Sequence, residues 1–365
     1  MAKTTEQDLT IQERKAEHLR IVAEEDVSYG KSSLFECIHL LHEALPELDI
    51  DEIDTTTEFF GKKLKAPFMI TSMTGGAEFA GEMNRGLAEA ASKSGIAFAV
   101  GSQRVMLRHP EVSDDFRVRS KIPEGVLLGN IGAVQLAEYS PEVIKGLMDD
   151  IEADGMCVHL NVAQELLQVE GHRDFTGITD KIARLVDSIR GKILVKETGA
   201  GLSPRVLEKL KSIGVPYIDV SGSGGTSWTR VEKYRAPSPV LYNTGQTLSN
   251  WGIPTAFSLI AAKKILDDKT CIISSGGVYN GLDAAKSIAV GADIAGFARP
   301  VLLPFLKGGV ESAKTYLESV LYELKTAMLL TGSKDLKSLG KTPRIIAGEL
   351  KDWLNAYGWL GEKGM

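Results

Sequence analysis

The chain has 365 residues, 43% of them hydrophobic and 25% charged, enough to bury a sizeable core in one large domain or two ordinary ones. Its formal net charge of −6 argues against nucleic acid or an anionic membrane as a partner, so any anionic substrate must be met by a local basic cluster. The polar start MAKTTEQDLT, the absence of a long apolar run, and three cysteines (Cys37, Cys157, Cys271) without metal-ligand spacing lead to the expectation of a cytoplasmic chain with no membrane span, zinc site or disulfide framework.

In chain order, residues 1–65 read as a helical, capping N-terminal segment rather than an independent domain. Ala16, Leu19 and Ala23 give Glu13–Glu24 a helical apolar face. Ser32 is an N-cap for a second expected helix ending near Pro46, and Thr56–Leu64 is a short strand-like stretch. From Ala66 a rhythm begins. Apolar runs of strand length alternate with helix-length amphipathic stretches: Pro67–Thr71, Ile96–Gly101, Gly125–Gly129, Met156–Leu160, Ile193–Glu197, Tyr217–Val220, Cys271–Ser275 and Asp293–Ala298. Nearly continuous hydrophobicity is the mark of parallel strands covered on both faces. Eight such units predict an α/β fold closed as a (β/α)8 TIM barrel over residues 66–310, with a doubly wound open sheet as the alternative. Arg230–Trp251 breaks the rhythm and reads as a long functional loop, carrying Pro237, Pro239 and Gly245. Residues 311–365 hold C-terminal helices, with amphipathic pattern over Val310–Thr331 and Thr342–Tyr357.

Chemistry in such barrels sits at the C-terminal strand ends, and each run here is followed by polar residues or glycine. Ser221, Thr226, Gly276 and Gly277 follow the sixth and seventh runs, where glycine lets backbone N–H groups approach a phosphate. Lys196, at the end of an apolar run, is either a snorkelling lysine or a cation beside the pyrimidine edge of a flavin. Thr71, Ser72 and Met73 would then line the ring face, and Thr74, Ser102 and Asn130 its edges. Arg14 and Lys15, with His18 one helical turn on, and Arg104 form either solvated charged faces or a diphosphate clamp. Glu165, beside Gln164, suits a Mg2+ that takes its remaining ligands from phosphates and water. His159 reads as a strand-end residue that orients a neighbour.

Taken together, Arg14-Lys15-x-x-His18, Ser72-Met73-Thr74-Gly75-Gly76, Gly101-Ser102-Gln103-Arg104, His159-Leu160-Asn161-x-x-Gln164-Glu165, Val195-Lys196-Glu197, Ser221-Gly222-x-Gly224-Gly225-Thr226, Trp251-Gly252-Ile253-Pro254-Thr255 and Ser275-Gly276-Gly277 resemble, in order, the type 2 isopentenyl-diphosphate isomerases. The resemblance implies an FMN-binding barrel that interconverts isopentenyl and dimethylallyl diphosphate. It implies reduced FMN as the acid–base catalyst, NADPH or NADH as reductant, Mg2+ on the diphosphate, and a homo-oligomer (tetramer or octamer). Carried over by position, Arg14, Lys15, His18, Ser102, Gln103, Arg104, Asn161 and Gln164 contact substrate and Glu165 holds Mg2+. Thr71–Thr74, Ser102, Asn130, Lys196, Ser221, Thr226, Gly276–Val278, Ala298 and Arg299 contact FMN. Gln164, Lys196 and His159 are the candidate catalytic residues. Arg299 stands where the pattern has an apolar residue and is expected to add a phosphate contact. The competing readings are an FMN oxidoreductase of the 2-hydroxy-acid oxidase or IMP dehydrogenase kind and a non-catalytic flavin or phosphate sensor.

Overall fold

A computed structural model describes residues 16–73 and 80–360. The N-terminal part consists of α1 (16–24), β1 (Ile38–Leu40), β2 (Thr57–Phe59) and β3 (Lys62–Leu64). The barrel strands are β4 (Phe68–Ile70), β5 (Ala97–Ala99), β6 (Leu127–Gly132), β7 (Gly155–Leu160), β8 (Ile193–Glu197), β9 (Tyr217–Asp219), β10 (Cys271–Ser274) and β11 (Ile294–Phe297). Between them lie α2 (Ala80–Ser94), α3 (Pro141–Asp150), α4 (Val162–Leu167), α5 (Ile178–Ser188), α6 (Pro204–Ser212), α7 (Trp228–Tyr234), α8 (Pro239–Thr247), α9 (Thr255–Ile265) and α10 (Gly281–Ala289). The chain continues through α11 (Arg299–Leu329), α12 (Leu336–Leu339), β12 (Arg344–Ile346) and α13 (Gly348–Ala356). Strands β4 to β11 pair in parallel, each with its sequence neighbour, and β11 closes on β4. All eight apolar runs are therefore barrel strands. The third extends to Gly132, beyond its expected end, because Ile131 and Gly132 continue the ladder opposite Val158 and His159.

Strand alternation divides the core in two. Outward residues such as Phe98, Val158, Val195 and Phe297 pack against the helical ring. Inward Met69, Ala99, Leu128, Cys157, Leu194 and Ile273 form a separate cluster inside the barrel. The β2–β3 hairpin closes that cluster from the N-terminal end of the strands. Phe59 is 1% exposed, and Phe60 stacks on Tyr217, the first residue of β9, with ring centroids 3.9 Å apart.

Three expectations need correction. No α-helix follows Ser32: its hydroxyl bonds Glu36, Leu34 turns left-handed at φ 65°, and the chain runs through a single 3-10 turn, Phe35–Cys37, into β1. Pairing of β1 with β12 takes both segments out of helix, so the last helix starts at Gly348 rather than Thr342. The expected loop Arg230–Trp251 is mostly helical. Ser227 caps α7 by accepting from Arg230 N–H, and Ser238 caps α8 with Pro239 at its first position. Proline there starts a helix, since its missing N–H has no partner in the first turn anyway. Along α11, Gly308 and Gly309 leave helical geometry and break the long helix in two.

Candidate active site

One pleat above the apolar interior, the inward positions turn polar. Asn130 follows Leu128, His159 follows Cys157, Lys196 follows Leu194, and Ser275 follows Ile273, each two residues on and therefore on the same face of its strand. This polar layer floors a cavity of about 210 Å3 at the C-terminal end of the barrel, lined among others by Thr71, Ser102, Asn130, His159 and Lys196. Lys196 is 5% exposed and donates to the Glu197 carbonyl at 2.5 Å, which leaves a buried cation in the wall. His159 Nδ1 lies 3.0 Å from Asn130 Oδ1, a contact that fixes the orientation of the ring. Cys157 lies below the polar layer, and burial pushes its thiol up to about 12, so it stays protonated at neutral pH and is no nucleophile.

One side of the mouth is backbone-rich. Gly276 and Gly277 line it with φ of 88° and 72°, and Gly225 approaches so closely that a Cβ there would meet Gly277 N at 2.6 Å. Thr226, Ser221 and Val278 line the same side. Such a rim of small residues with accessible N–H groups suits a phosphate, and with Lys196 it fits the two ends of FMN.

The opposite side carries α4 and α7. Gln164 donates to Glu232 Oε1 at 3.0 Å and accepts from Asn161 Nδ2 at 3.3 Å, so its amide is held from both ends. Glu232 is 1% exposed and also accepts from Gln168 at 2.7 Å and Arg235 at 2.8 Å, while His18 Nε2 lies 2.9 Å from it. Burial alone would raise this carboxyl. His18, Arg235 and Gln164 outweigh that and bring it to about 2. Glu165, 5% exposed on the cavity wall, accepts from Asn161 Nδ2 at 3.0 Å and from His172 N–H at 2.8 Å. Among the described residues no group of three or more His, Cys, Asp or Glu could hold a metal, so Glu165 fits only as one anchor of an ion completed by substrate oxygens and water.

The structure brings most of the expected residues into this one cavity: His18, Thr71, Ser72, Met73, Ser102 and Arg104; Asn130, His159, Asn161, Gln164, Glu165 and Lys196; and Ser221, Thr226, Gly276, Gly277, Val278, Ala298 and Arg299. Arg14, Lys15 and Thr74 lie outside the described residues. Gln103 is a correction. It is fully buried, donates to the Leu147 carbonyl at 2.9 Å and accepts from Asn130 N–H at 3.1 Å, so it braces β6 instead of meeting substrate. Arg299 reaches the cavity wall, but its Nε donates to the Val22 carbonyl at 2.9 Å and its Nη1 to Ser28 Oγ at 3.4 Å, tying the N-terminal segment across the mouth. Gln135, Gln168, Trp228 and Tyr279 line the cavity without having been singled out from sequence. Gln135 is 2% exposed, and its Nε2 has no hydrogen-bond partner among the described residues.

A cavity with a glycine rim and a buried lysine at the C-terminal end of a closed parallel barrel is the arrangement of an FMN-dependent α/β-barrel protein. The FMN-dependent dehydrogenase family model matches residues 11–108 and 141–346. Solved mandelate oxidase structures share the fold, one with a TM-score of 0.65 at 13% identity, covering 93% of this chain and 98% of that one. Much nearer in sequence are isopentenyl-diphosphate delta-isomerases. That of Methanopyrus kandleri is 40% identical over 95% of both chains, and that of Ignicoccus hospitalis 43% identical over 93% of this chain and 95% of its own. That of Rickettsia felis is 44% identical over 90% of this chain and 95% of its own. The chain belongs to the FMN-dependent isopentenyl-diphosphate delta-isomerase family.

Proposed function

We propose that this chain interconverts isopentenyl and dimethylallyl diphosphate in the barrel-mouth cavity, with FMN on the glycine rim and Lys196, Mg2+ on the substrate diphosphate, and NADPH or NADH keeping the flavin reduced. The observation that carries this reading is the sharing of one cavity by two unlike walls: a glycine rim with a buried lysine, and a Gln164–Glu165 wall with Arg104 nearby. When bound, reduced FMN would supply proton donation and acceptance at the alkene, a chemistry for which the cavity side chains offer no evident acid–base pair.

The side chains bind and orient. Lys196 supplies a fixed positive charge where a reduced flavin is anionic, and it acts without reorganisation because it is already buried. Glu232 and Asn161 hold Gln164 in one amide orientation against the substrate. Glu165 anchors the ion on the diphosphate, with Arg14, Lys15 and Arg104 as the diphosphate's cationic surround and His18, Ser102 and Asn161 as polar contacts. Holding the charged end in this way positions an alkene that has no polar handle of its own. Thr71, Ser72, Met73, Thr74 and Asn130 contact the flavin ring, His159 is oriented by Asn130, and Ser221, Thr226, Gly276, Gly277, Val278, Ala298 and Arg299 surround its phosphate side. We place the protein in the cytoplasm as a homo-oligomer. No helix among the described residues is long and apolar enough to cross a membrane.

The test is direct. Purified protein is yellow, and with dithionite or NADPH plus Mg2+ it converts isopentenyl diphosphate to dimethylallyl diphosphate. A yellow protein that oxidises a 2-hydroxy acid and leaves isopentenyl diphosphate untouched overturns the isomerase reading. Glu165→Gln lowers Mg2+-supported turnover, and unchanged metal dependence removes it as the anchor.

A further inference from the structure

Asp219 is the inward residue at the end of β9 and is 0% exposed. Alternation puts it on the face of Tyr217, inside the barrel, and the β8–β9 ladder sets it directly opposite Lys196. Its carboxylate is fully engaged from above. Ser275 Oγ lies 2.8 and 2.9 Å from its two oxygens, and Ser221 N–H donates to Oδ1 at 3.0 Å. These partners are the first residues of the two glycine turns at the cavity rim. Ser221 is held at φ 35°, a left-handed geometry that a serine adopts only when its surroundings impose it. Burial raises the Asp219 carboxyl, and Lys196, Ser275 and the N–H of Ser221 oppose the rise. A buried carboxylate without a nearby cation would be costly, and Lys196 is the cation that acts on it.

We infer that Asp219 is a positioning residue that compensates the charge of Lys196 beneath the flavin and ties that lysine to the phosphate rim through Ser221 and Ser275. This rests on FMN occupying the cavity. The Lys196–Asp219 pair limits how strongly Lys196 favours the anionic, reduced flavin over the neutral, oxidised one. Removing one partner or the other shifts that preference in opposite directions. Lys196→Met disfavours reduced FMN. Asp219→Asn, which keeps shape and hydrogen-bonding capacity, removes one of the two buried carboxyls that act on Lys196, Glu197 being the other, and favours reduced FMN.

The experiment measures the midpoint potential of FMN in the holoprotein, with dissociation constants for oxidised and reduced FMN. Asp219→Asn is expected to raise the reduced-over-oxidised affinity ratio about tenfold, a positive shift of about 30 mV for a two-electron couple. Lys196→Met shifts it the other way, and the double variant returns toward the wild-type value. Ser275→Ala, which strips one hydroxyl from the carboxylate and favours its protonation, shifts the ratio in the same direction as Asp219→Asn by a smaller factor. It serves as the test if Asp219→Asn does not fold. An unchanged ratio, a shift in the direction of Lys196→Met, or equal loss of both FMN forms overturns the inference. Wild-type protein that binds no FMN fails the flavin reading instead.

Discussion

The two ends of the barrel are built from the same strands with the same alternation, yet they do opposite things. At the N-terminal end, inward positions are apolar and the β2–β3 hairpin seals them with Phe59, Phe60 and Tyr217. At the C-terminal end the inward positions are Asn130, His159, Lys196, Asp219 and Ser275, and the rim is glycine-rich. The lower end therefore supplies burial and rigidity. The upper end turns Asn130, His159, Lys196 and Ser275 toward a cavity, with Asp219 buried beside them.

That contrast can be broken from below first. Phe59→Ala deletes a fully buried ring and is expected to cost roughly 3–5 kcal/mol of stability, read as a lower denaturation midpoint, while FMN affinity of the folded protein stays within about twofold. A large fall in FMN affinity would mean that the two ends are not separable. Lys196→Met tests the upper end. FMN affinity falls roughly 100-fold, about 2.7 kcal/mol, and the apoprotein loses some stability as well, because the buried Asp219 is left without its cation. Full retention of flavin and activity would remove Lys196 from its role.

Glu232→Gln sharpens the comparison, because this carboxylate is buried at the upper end yet touches no part of the rim. Losing its charge weakens the bonds to Arg235, Gln164 and Gln168 and lowers stability by about 2 kcal/mol, with kcat falling more than KM rises as Gln164 loses its orientation. The pH dependence stems from its carboxyl being lowered from an ordinary 4.5 to about 2. Its contribution is present above pH 4.5 and is lost as pH falls toward 2, so the acid side of the stability curve flattens in Glu232→Gln. Equal acid sensitivity in the variant would mean that the pairing contributes nothing. The smallest effect belongs to Gln135→Leu. A buried amide whose Nε2 has no partner among the described residues is removed, so the apoprotein gains about 1 kcal/mol while KM for the diphosphate substrate rises several-fold. A variant that loses stability, or keeps its KM, shows that Gln135 does not wait for a ligand.

The barrel was legible because its strands are buried on both faces and leave uninterrupted apolar runs. The strand-end polar residues were legible because the fold confines chemistry to one end. Two things escaped for physical reasons. In Arg230–Trp251 the prolines looked like breakers, although Ser238-Pro239 opens a helix, because the residues after it can continue one. The segment after Ser32 has a helix cap, but a strand partner about 300 residues away competes for it, and a local pattern carries no trace of that competitor.

Sequence by itself pointed to a parallel barrel and to the end at which its polar residues gather, the first through eight uninterrupted apolar runs alternating with helical stretches and the second through the polar or glycine residues that follow each run. Tertiary structure alone decided which of those residues share charge and hydrogen bonds. Gln103 turned inward as a brace, Arg299 tied down the N-terminal segment, and Glu232 and Asp219 became buried carboxylates with cations beside them. Those outcomes depend on distances between segments far apart in the chain, because a buried charge is tolerated only where folding brings its partner to it.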